Sequence, residues 1–289
     1  MRVVRVRRGG SVRFAVEREP GTFAEVEASS ALEAMTARGK RRGTFEAVDP
    51  DELRFGADVD LLLPLDPPEI WCAGVTYARS RDARVDEAVV KDVYTMVYEA
   101  NRPELFLKDA MWRRTAGPGA RIGIRADATW NVPEAEIGLV LGERGAIVGY
   151  TIGNYVSSRD IEGANPLYLP QAKVYAGACA IGPALLAADD THRVFEIALR
   201  ILDADGNEIF AGSTSTAQMV RSFDELVSWL VRDNPVPAGS VLLTGTGIVP
   251  PDEITLLPGH RVEIHVPGIG TLWNPVALAG ELAAAGSRG

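Results

Sequence analysis

The sequence predicts a mixed α+β protein that is built of many short β-strands and few helices. Short apolar segments such as residues 70–77 recur along the chain and are separated by Gly, Pro, Asn and Asp, which is the pattern of strands joined by turns. Helical spacing of apolar residues is found at residues 85–100 and in the later part of residues 213–230, and one short helix is expected at residues 29–40. Strand-like segments therefore outnumber helical ones.

Composition and charge argue against several classes of partner. A hydrophobic content of 46% and a charged content of 24% are those of an ordinary soluble globular protein. The net charge of −9 argues against nucleic acid, whose binding proteins present a basic face. No apolar run reaches membrane-spanning length, and the basic N-terminal segment lacks the apolar core of a signal peptide. We therefore expect a cytoplasmic protein without nucleic-acid or membrane partners.

The chain divides into a small N-terminal α+β domain, residues 1–66, and a larger domain, residues 67–289. Residues 1–28 alternate between charged and apolar types, as two or three antiparallel strands do. Residues 29–40 predict one helix with a serine cap and a glycine stop. The proline-rich segment LPLDPPEI then separates this unit from the rest of the chain.

Two acidic residues, Glu134 and Glu136, are the first candidate site. The segment EAEIGLVLG is rich in β-formers and ends at a glycine, so it predicts a strand. Side chains at positions i and i+2 of a strand point to the same face, where two carboxylates repel each other unless a positive charge lies between them. A hard cation such as Mg²⁺ or Mn²⁺ would supply that charge. The alternative, which is the commoner meaning of Glu-x-Glu, is a solvent-facing acidic strand edge.

A second strand and a polar loop follow the acidic strand. Residues 143–145 predict a turn and residues 147–154 predict the returning strand of a hairpin. Polar side chains then gather where an apolar strand ends, which indicates a site rather than plain surface. These side chains are Asn154, Ser157, Ser158, Arg159, Asp160 and Glu162.

Together these segments resemble the fumarylacetoacetate hydrolase family. The segments VPEAEIGLVLG, TIGNYVSSRDIEG and NPLYLPQAKVYAGACAIGP carry the likeness, with support from TGTGIV and PGIGTLWNPV. The likeness spans residues 68–278 and is strongest to the branch that dehydrates 2-keto-3-deoxy sugar acids, such as 2-dehydro-3-deoxy-arabinonate. The resemblance implies a rolled β-sandwich with a small N-terminal extension, and a homodimer or higher homo-oligomer.

The resemblance also implies a metal site from which this chain departs. It assigns Glu134 and Glu136 as ligands of Mg²⁺ or Mn²⁺, but Tyr155 stands where the family has its third, aspartate ligand. A phenol is a poor ligand for Mg²⁺ at neutral pH, so metal binding should be weaker or the chemistry changed. Asp160 or Glu162 is a possible replacement ligand. Alternatively, Tyr155 fills the vacated position and acts as an acid or base. A second departure is Ala176, where the branch commonly has aspartate.

Further site residues are carried over by the same resemblance. Lys173 is expected to bind the substrate carboxylate or to move protons, and Glu104 is a second candidate base. The segment NRPELFLK also places Lys108 among the catalytic candidates. The candidate substrate-binding residues are Ser157, Arg159, Asp160, Gly245 and Thr246, where the glycine would bring a backbone N–H close to a carboxylate. The helix at residues 85–100 is either a lid or a surface helix.

The expected function is dehydration of a 2-keto-3-deoxy sugar acid by a divalent-metal-dependent lyase. The keto acid would chelate the metal, which stabilises the enolate formed when C3 loses a proton, and the C4 hydroxyl would leave as water. No histidine lies in the motifs, which argues against a water-activating hydrolase. One alternative is a repurposed family member with weak or no metal. It would be a decarboxylase, C–C hydrolase, isomerase or cyclase, and its pathway could be one of specialised biosynthesis. The other alternative is a non-catalytic binding protein.

Overall fold

The structure, a computed structural model, describes residues 1–36, 41–87, 92–189 and 193–286. The described strands are β1 (Arg2–Arg8), β2 (Ser11–Glu19), β3 (Thr22–Val26), β4 (Arg41–Asp49), β5 (Arg54–Phe55), β6 (Val59–Leu61), β7 (Glu69–Gly74), β8 (Glu104–Ala110), β9 (Thr115–Ala116), β10 (Ile122–Ile124), β11 (Asn131–Leu141), β12 (Ile147–Ser158), β13 (Cys179–Ala187), β14 (Glu196–Leu202), β15 (Glu208–Ser215), β16 (Val241–Leu243), β17 (Arg261–Val266) and β18 (Gly270–Leu278). The described α-helices are α1 (Ala31–Thr36), α2 (Ala78–Glu87), α3 (Asp92–Glu99), α4 (Arg159–Ala164), α5 (Leu169–Lys173), α6 (Phe223–Leu230) and α7 (Ala279–Gly286).

The strands form two sheets that pack face to face. The larger sheet runs in the order β5-β4-β3-β2-β1-β13-β12-β11-β16-β7-β8, and the smaller one runs in the order β10-β18-β17-β14-β15. Fully buried apolar side chains from both sheets fill the space between them, among them Ile137, Ile152, Leu199, Ile264 and Leu272. The arrangement confirms the predicted α+β fold with a β-sandwich core.

Strand β11 lies inside the larger sheet and is buried along its whole length. It pairs with β12 and β16, both antiparallel. Ala135, Ile137 and Leu139 point into the core between the sheets. Glu134 and Glu136 therefore point to the opposite face of the larger sheet, which α4 and α5 cover. The predicted hairpin is confirmed, although its second strand continues four residues beyond the predicted end, to Ser158.

The N-terminal strands belong to the same sheet as the rest of the chain. The antiparallel strands predicted before residue 28 are confirmed as β1, β2 and β3. Strand β1 also pairs with β13, where Val3 is opposite Leu185, so the sheet is continuous across residue 66. The expected serine cap of α1 is present because the Ser30 hydroxyl accepts a hydrogen bond from the Glu33 N–H. The expected glycine stop, Gly39, lies outside the described residues, and the domain boundary at residue 66 stays a prediction.

One helix prediction is corrected at its start and another is confirmed. A helix was expected at residues 85–100, but α2 already begins at Ala78; α3 covers Asp92–Glu99, and residues 88–91 lie outside the described residues. The helix predicted in the later part of residues 213–230 is confirmed as α6, while Ser213 at the start of this segment belongs to β15 and pairs with Ala198 of β14. Within the described residues, no helix is both long and apolar enough to cross a membrane.

Candidate active site

A polar pocket lies on the outer face of the larger sheet. Its empty space, counted together with the opening to solvent, is about 380 Å³. The residues that line it are Cys72, Ala73, Gly74, Val75, Ser80, Arg84, Glu104, Phe106, Glu134, Glu136, Tyr155, Glu162, Leu169, Lys173, Gly245 and Thr246. The pocket thus combines β7, β8, β11 and β12 with α2, α4, α5 and the loop after β16.

The two glutamates of β11 both reach this pocket. Glu134 is 5% exposed and Glu136 is 2% exposed, so the interpretation of Glu-x-Glu as a solvent-facing strand edge is wrong. Tyr155 of β12 is paired directly with Glu134 across the two strands. Cross-strand partners share a face of the sheet, which explains why the phenol and both carboxylates line one pocket.

Three basic side chains surround one oxygen of Glu134. Its Oε1 atom lies 2.7 Å from Nη2 of Arg84, 3.5 Å from Nε of Arg159 and 3.6 Å from Nζ of Lys173. Burial by itself raises the pKa of Glu134, but these three cations outweigh burial and hold that pKa well below its usual range. Glu134 is therefore an ionised carboxylate whose charge the protein itself compensates.

Glu162 of α4 shares two of these cations. Its Oε1 accepts a hydrogen bond of 3.2 Å from Nε of Arg84, and its Oε2 lies 3.1 Å from Nζ of Lys173. The Ser157 hydroxyl donates to the same carboxylate at 3.0 Å. Burial opposes ionisation here too, but the charges of Arg84 and Lys173 lower the pKa of Glu162. Arg84 and Lys173 thus bridge two buried carboxylates.

Glu136 has a different environment from Glu134. Its Oε2 accepts a hydrogen bond of 2.7 Å from the backbone N–H of Gly245, so the expected approach of this N–H to a carboxylate is confirmed, with the protein's own carboxylate as the acceptor. Burial, followed by the negative charge of Glu134, raises the pKa of Glu136 to about 8. At neutral pH Glu136 is therefore mainly a neutral carboxylic acid.

Glu104 reaches the pocket because its strand partner has no side chain. Gly74 of β7 is paired with Glu104 of β8. A Cβ atom at Gly74 would lie 1.9 Å from Oε2 of Glu104, so the carboxylate occupies the space that any other residue would fill. Burial, with a smaller contribution from the charge of Glu162, raises the pKa of Glu104. A carboxyl group with a raised pKa can both take and donate a proton near neutral pH.

Tyr155 lies between two lysines. Nζ of Lys108 is 3.3 Å from the centre of its ring and Nζ of Lys173 is 4.8 Å from it, distances typical of cation–π contacts. The Phe106 ring packs edge-on against it. Burial raises the pKa of Tyr155 well above its usual range, so the phenol stays protonated. Its buried hydroxyl has no hydrogen-bond partner among the described residues and is a donor on the pocket wall.

Lys108 contacts this ring and is not among the residues that line the pocket. Its Nζ donates to the backbone carbonyl oxygens of Lys173 and, at 3.2 Å, of Val156. Burial lowers the pKa of Lys108 to about 8. Lys108 therefore contacts the ring of Tyr155 and the end of α5, and its expected catalytic role stays a prediction.

The remaining predicted binding residues differ in their relation to the pocket. Arg159 and Ser157 contact the pocket carboxylates, and Thr246 lines the pocket while its hydroxyl accepts from the Ile248 N–H. Asp160 is not among the lining residues, because its carboxylate accepts hydrogen bonds from the N–H and hydroxyl of Thr129. The expectation that Asp160 contacts the substrate or replaces the missing ligand gains no support from this position and stays a prediction.

Sequence reasoning missed Arg84. It precedes the helix that was expected at residues 85–100 and lies outside the family motifs, whereas the structure places it inside α2 and 5% exposed. A basic residue in a helix of mostly polar residues usually faces solvent, so periodicity alone offers no signal for it. Val75, at the end of β7, was also missed. Its φ of 53° is rare for a β-branched residue, and such strain is often found at functional sites.

Comparison with known proteins identifies the family. Residues 69–277 match the family model described as fumarylacetoacetate (FAA) hydrolase C-terminal. The chain belongs to this family.

Two relatives within the fumarylacetoacetate hydrolase family are named as dehydratases. The probable 2-keto-3-deoxyxylonate dehydratase of Haloferax volcanii is 51% identical over 215 residues, which cover 74% of this chain and 74% of the relative. The 2-dehydro-3-deoxy-D-arabinonate dehydratase of Saccharolobus solfataricus is 43% identical over 225 residues, which cover 76% of this chain and 75% of the relative. These relatives confirm the resemblance to the sugar-acid dehydratase branch.

A solved structure of the same family extends the likeness to nearly the whole chain. This 2-keto-3-deoxy-D-arabinonate dehydratase, complexed with magnesium and 2,5-dioxopentanoate, has a TM-score of 0.85 and 35% identity and covers 96% of this chain and 99% of its own. Its two ligands support the expectations of metal-dependent dehydration, of a small keto acid as substrate and of magnesium as an ion that the family uses.

The side chains of this family member supply an incomplete donor set for such an ion. Glu134 and Glu136 provide two carboxylates, but the third expected position holds the protonated phenol of Tyr155. Within the described parts of the chain, no three His, Cys, Asp or Glu side chains come together in a way that could hold a metal. Mg²⁺ requires oxygen ligands in near-octahedral geometry, so the residues present do not fit the magnesium site expected from the resemblance.

Proposed function

We propose that this chain dehydrates a 2-keto-3-deoxy sugar acid. The observation that carries the proposal is the 51% identity to a probable 2-keto-3-deoxyxylonate dehydratase over 215 residues, a region that includes most of the family domain. The pocket is consistent with this function, because it places basic side chains and a carboxyl group of raised pKa, Glu104, around one space. A 2-keto-3-deoxy pentonate that loses one water can rearrange to 2,5-dioxopentanoate, the compound bound in the solved relative.

Glu104 is the proposed acid and base. As a carboxylate it takes a proton from C3 of the substrate, and the electron pair of the broken C–H bond forms the C2–C3 double bond of an enolate. The carboxyl group then returns this proton to the C4 hydroxyl, which leaves as water while C2=O reforms and C3=C4 forms. One proton and one hydroxide leave the substrate, and Glu104 ends in its starting state.

Lys173 acts in this proposal as a fixed positive charge near the substrate oxygens. Its Nζ lies 3.6 Å from Glu134 and 3.1 Å from Glu162. A cation at this position stabilises the negative charge that develops on the C2 oxygen. Tyr155, whose buried hydroxyl is a donor on the same wall, contributes a neutral hydrogen bond.

Substrate turnover and proton exchange test the proposal together. The purified chain is offered 2-keto-3-deoxy arabinonate, xylonate and gluconate, and product is followed by mass spectrometry as the loss of one water. We expect Glu104→Gln to lower kcat at least about 100-fold, because general acid–base catalysis typically contributes that much, and to abolish exchange of the C3 hydrogens with deuterated water. Glu99→Gln, at an exposed position at the end of α3, is the matched control and should retain wild-type turnover.

Two outcomes would contradict the proposal. Turnover of none of the three sugar acids, with or without Mg²⁺, would exclude the assignment, and an accompanying consumption of oxaloacetate would favour the alternative of a repurposed family member. Full turnover by Glu104→Gln would leave the dehydratase assignment standing but would remove Glu104 from its role.

Cytoplasmic location and self-association also belong to the proposal. The negative formal charge of −9 and the sugar-acid substrate class are compatible with a cytoplasmic enzyme. Exposed apolar side chains such as Leu167 at 84% and Trp273 at 43% are available for contacts with a second copy. Light scattering of the purified protein would give its mass, and a monomer at micromolar concentration would contradict the expected homo-oligomer.

A further inference from the structure

Three basic side chains around Glu134 supply the positive charge that a divalent cation was expected to supply. A buried carboxylate pair needs nearby positive charge, and in this chain side chains already provide it. Arg84 and Lys173 each lie within 4 Å of both Glu134 and Glu162. Arg159 adds a third cation at 3.5 Å from Glu134. A dication on the same oxygen of Glu134 would be repelled by all three.

Tyr155, which is opposite Glu134, stands where an aspartate ligand was expected. Tyr155 is paired with Glu134 in the strand register and is 1% exposed, so its ring fills the space beside the carboxylates. Two ammonium groups lie over this ring, at 3.3 and 4.8 Å from its centre, which again concentrates positive charge there. An aromatic ring flanked by ammonium groups offers no oxygen anion to a metal.

We propose that the guanidinium of Arg84 and the ammonium of Lys173 replace the divalent cation, so that they bind the carboxylate and C2 oxygen of a 2-oxo acid and this chain works without a metal. This inference rests on the proposed dehydration for its substrate. The carboxylate of the 2-oxo acid is attracted by the positive charge of Arg84, whose Nε and Nη2 already donate to Glu162 and Glu134. The C2 oxygen, on which negative charge develops when the C3 proton passes to Glu104, lies next to Lys173 and the hydroxyl of Tyr155.

Metal binding tests the proposal without any substrate. Mn²⁺ is titrated into EDTA-treated, dialysed protein, and free Mn²⁺ is measured by electron paramagnetic resonance. We expect no binding by the wild type or by Tyr155→Phe, which keeps the ring, up to millimolar Mn²⁺. Tyr155→Asp restores the third carboxylate and should bind Mn²⁺ at least about 10-fold more tightly than Tyr155→Phe. Binding of about one Mn²⁺ per wild-type chain at micromolar concentration would overturn the proposal.

Dependence of turnover on metal is the second readout. We expect wild-type kcat/KM to be the same in EDTA and in millimolar Mg²⁺. A loss of more than about 10-fold in EDTA that Mg²⁺ restores would overturn the proposal. If no substrate is turned over under any condition, the proposed dehydration fails, while the Mn²⁺ titration still decides whether the chain has a metal site. The two failures are thereby distinguishable.

The role of Arg84 has its own test. We expect Arg84→Gln to raise KM for the 2-oxo acid about 10- to 100-fold, because a positive charge beside the substrate carboxylate is lost. Arg84→Lys should recover part of that loss because it keeps the charge but not the two N–H donors that hold Glu134 and Glu162. Arg79→Gln, on the exposed side of the same helix, is the matched control and should keep the wild-type KM. An unchanged KM in a folded Arg84→Gln would contradict the role of Arg84 in substrate binding.

Discussion

Single residues decide the chemistry of this pocket. Three carboxyl groups, at Glu134, Glu136 and Glu162, lie on one wall, but their protonation differs because their neighbours differ. Cations hold the pKa of Glu134 and Glu162 low, whereas burial and the nearby charge of Glu134 raise that of Glu136 to about 8. The same residue type therefore serves as an anion at two positions and as a neutral acid at the third.

Lys108 leads to a prediction about stability and pH. Burial lowers its folded-state pKa to about 8, whereas the unfolded chain keeps a value near 10.4. Between these values the unfolded state binds more protons, so the free energy of unfolding rises with pH in this window. Between pH 8 and pH 10 we expect the free energy of unfolding of the wild type to rise by about 2 kcal/mol relative to that of Lys108→Met. Each pKa unit corresponds to about 1.4 kcal/mol.

Urea unfolding of both chains at the two pH values measures this gain. Groups that do not interact with Lys108 titrate alike in the two chains, so their contribution cancels in the difference. If the difference in free energy of unfolding between wild type and Lys108→Met is the same at pH 8 and pH 10, the lowered pKa of Lys108 is contradicted.

Pairs of strands place the reactive groups. The register of β11 and β12 pairs Glu134 with Tyr155, and the register of β7 and β8 pairs Gly74 with Glu104. Because the side chains of a strand alternate between its faces, a shift of one residue would turn these groups away from the pocket. The site is therefore a property of strand pairs rather than of single motifs.

The β7–β8 pair carries a prediction at Gly74. A Cβ there would lie 1.9 Å from Oε2 of Glu104, and the carboxylate is the flexible end of a side chain, so it moves while the strands stay paired. We expect Gly74→Ala to fold and to lose at least about 10-fold in kcat, since displacement of a general base by about 1 Å costs that much or more.

Gly43→Ala is the control for this variant, because a Cβ at Gly43 meets nothing within 4 Å. Circular dichroism and steady-state kinetics of both variants provide the measurement. Wild-type kcat in a folded Gly74→Ala would show that the position of Glu104 is not critical.

One continuous sheet connects the N-terminal strands to the strands that carry the site residues. Strand β1 pairs with β13, which pairs with β12, the strand that carries Tyr155. Val3 and Leu185 are both fully buried where β1 meets β13. The smaller sheet covers the other face of β11 and β12, so the pocket is supported from two directions.

This continuity predicts the behaviour of a shortened chain. Without residues 1–66, β13 loses its partner β1 and buried side chains such as Leu185 become exposed, which favours aggregation. We expect residues 67–289 alone to be insoluble or unfolded. Expression with and without a separately supplied fragment of residues 1–66, followed by circular dichroism, checks this. A stable, folded 67–289 fragment would instead show that the predicted boundary separates two independent domains.

Much of this architecture was predictable because it depends on local patterns. Alternating and continuous apolar segments predicted the hairpin of β11 and β12 and the strands before residue 28. The motifs around residues 134, 155, 173 and 245 predicted the family and most of the pocket wall. The start of α2 was not predictable, since its polar residues carry weak periodicity. The extension of β15 into residues 213–215 depends on pairing with β14, which no local window contains.

The sequence by itself determined the family, the sandwich fold and the exchange of an aspartate for Tyr155. Only the tertiary structure decided what balances the two glutamates. From spacing alone, paired carboxylates on one strand face called for a metal cation. The structure brings Arg84 from α2, Arg159 from α4 and Lys173 from α5 to the same carboxylate. Coulombic attraction acts through space, so charges that are up to 89 positions apart in the chain became neighbours only when the sheet and its helices packed.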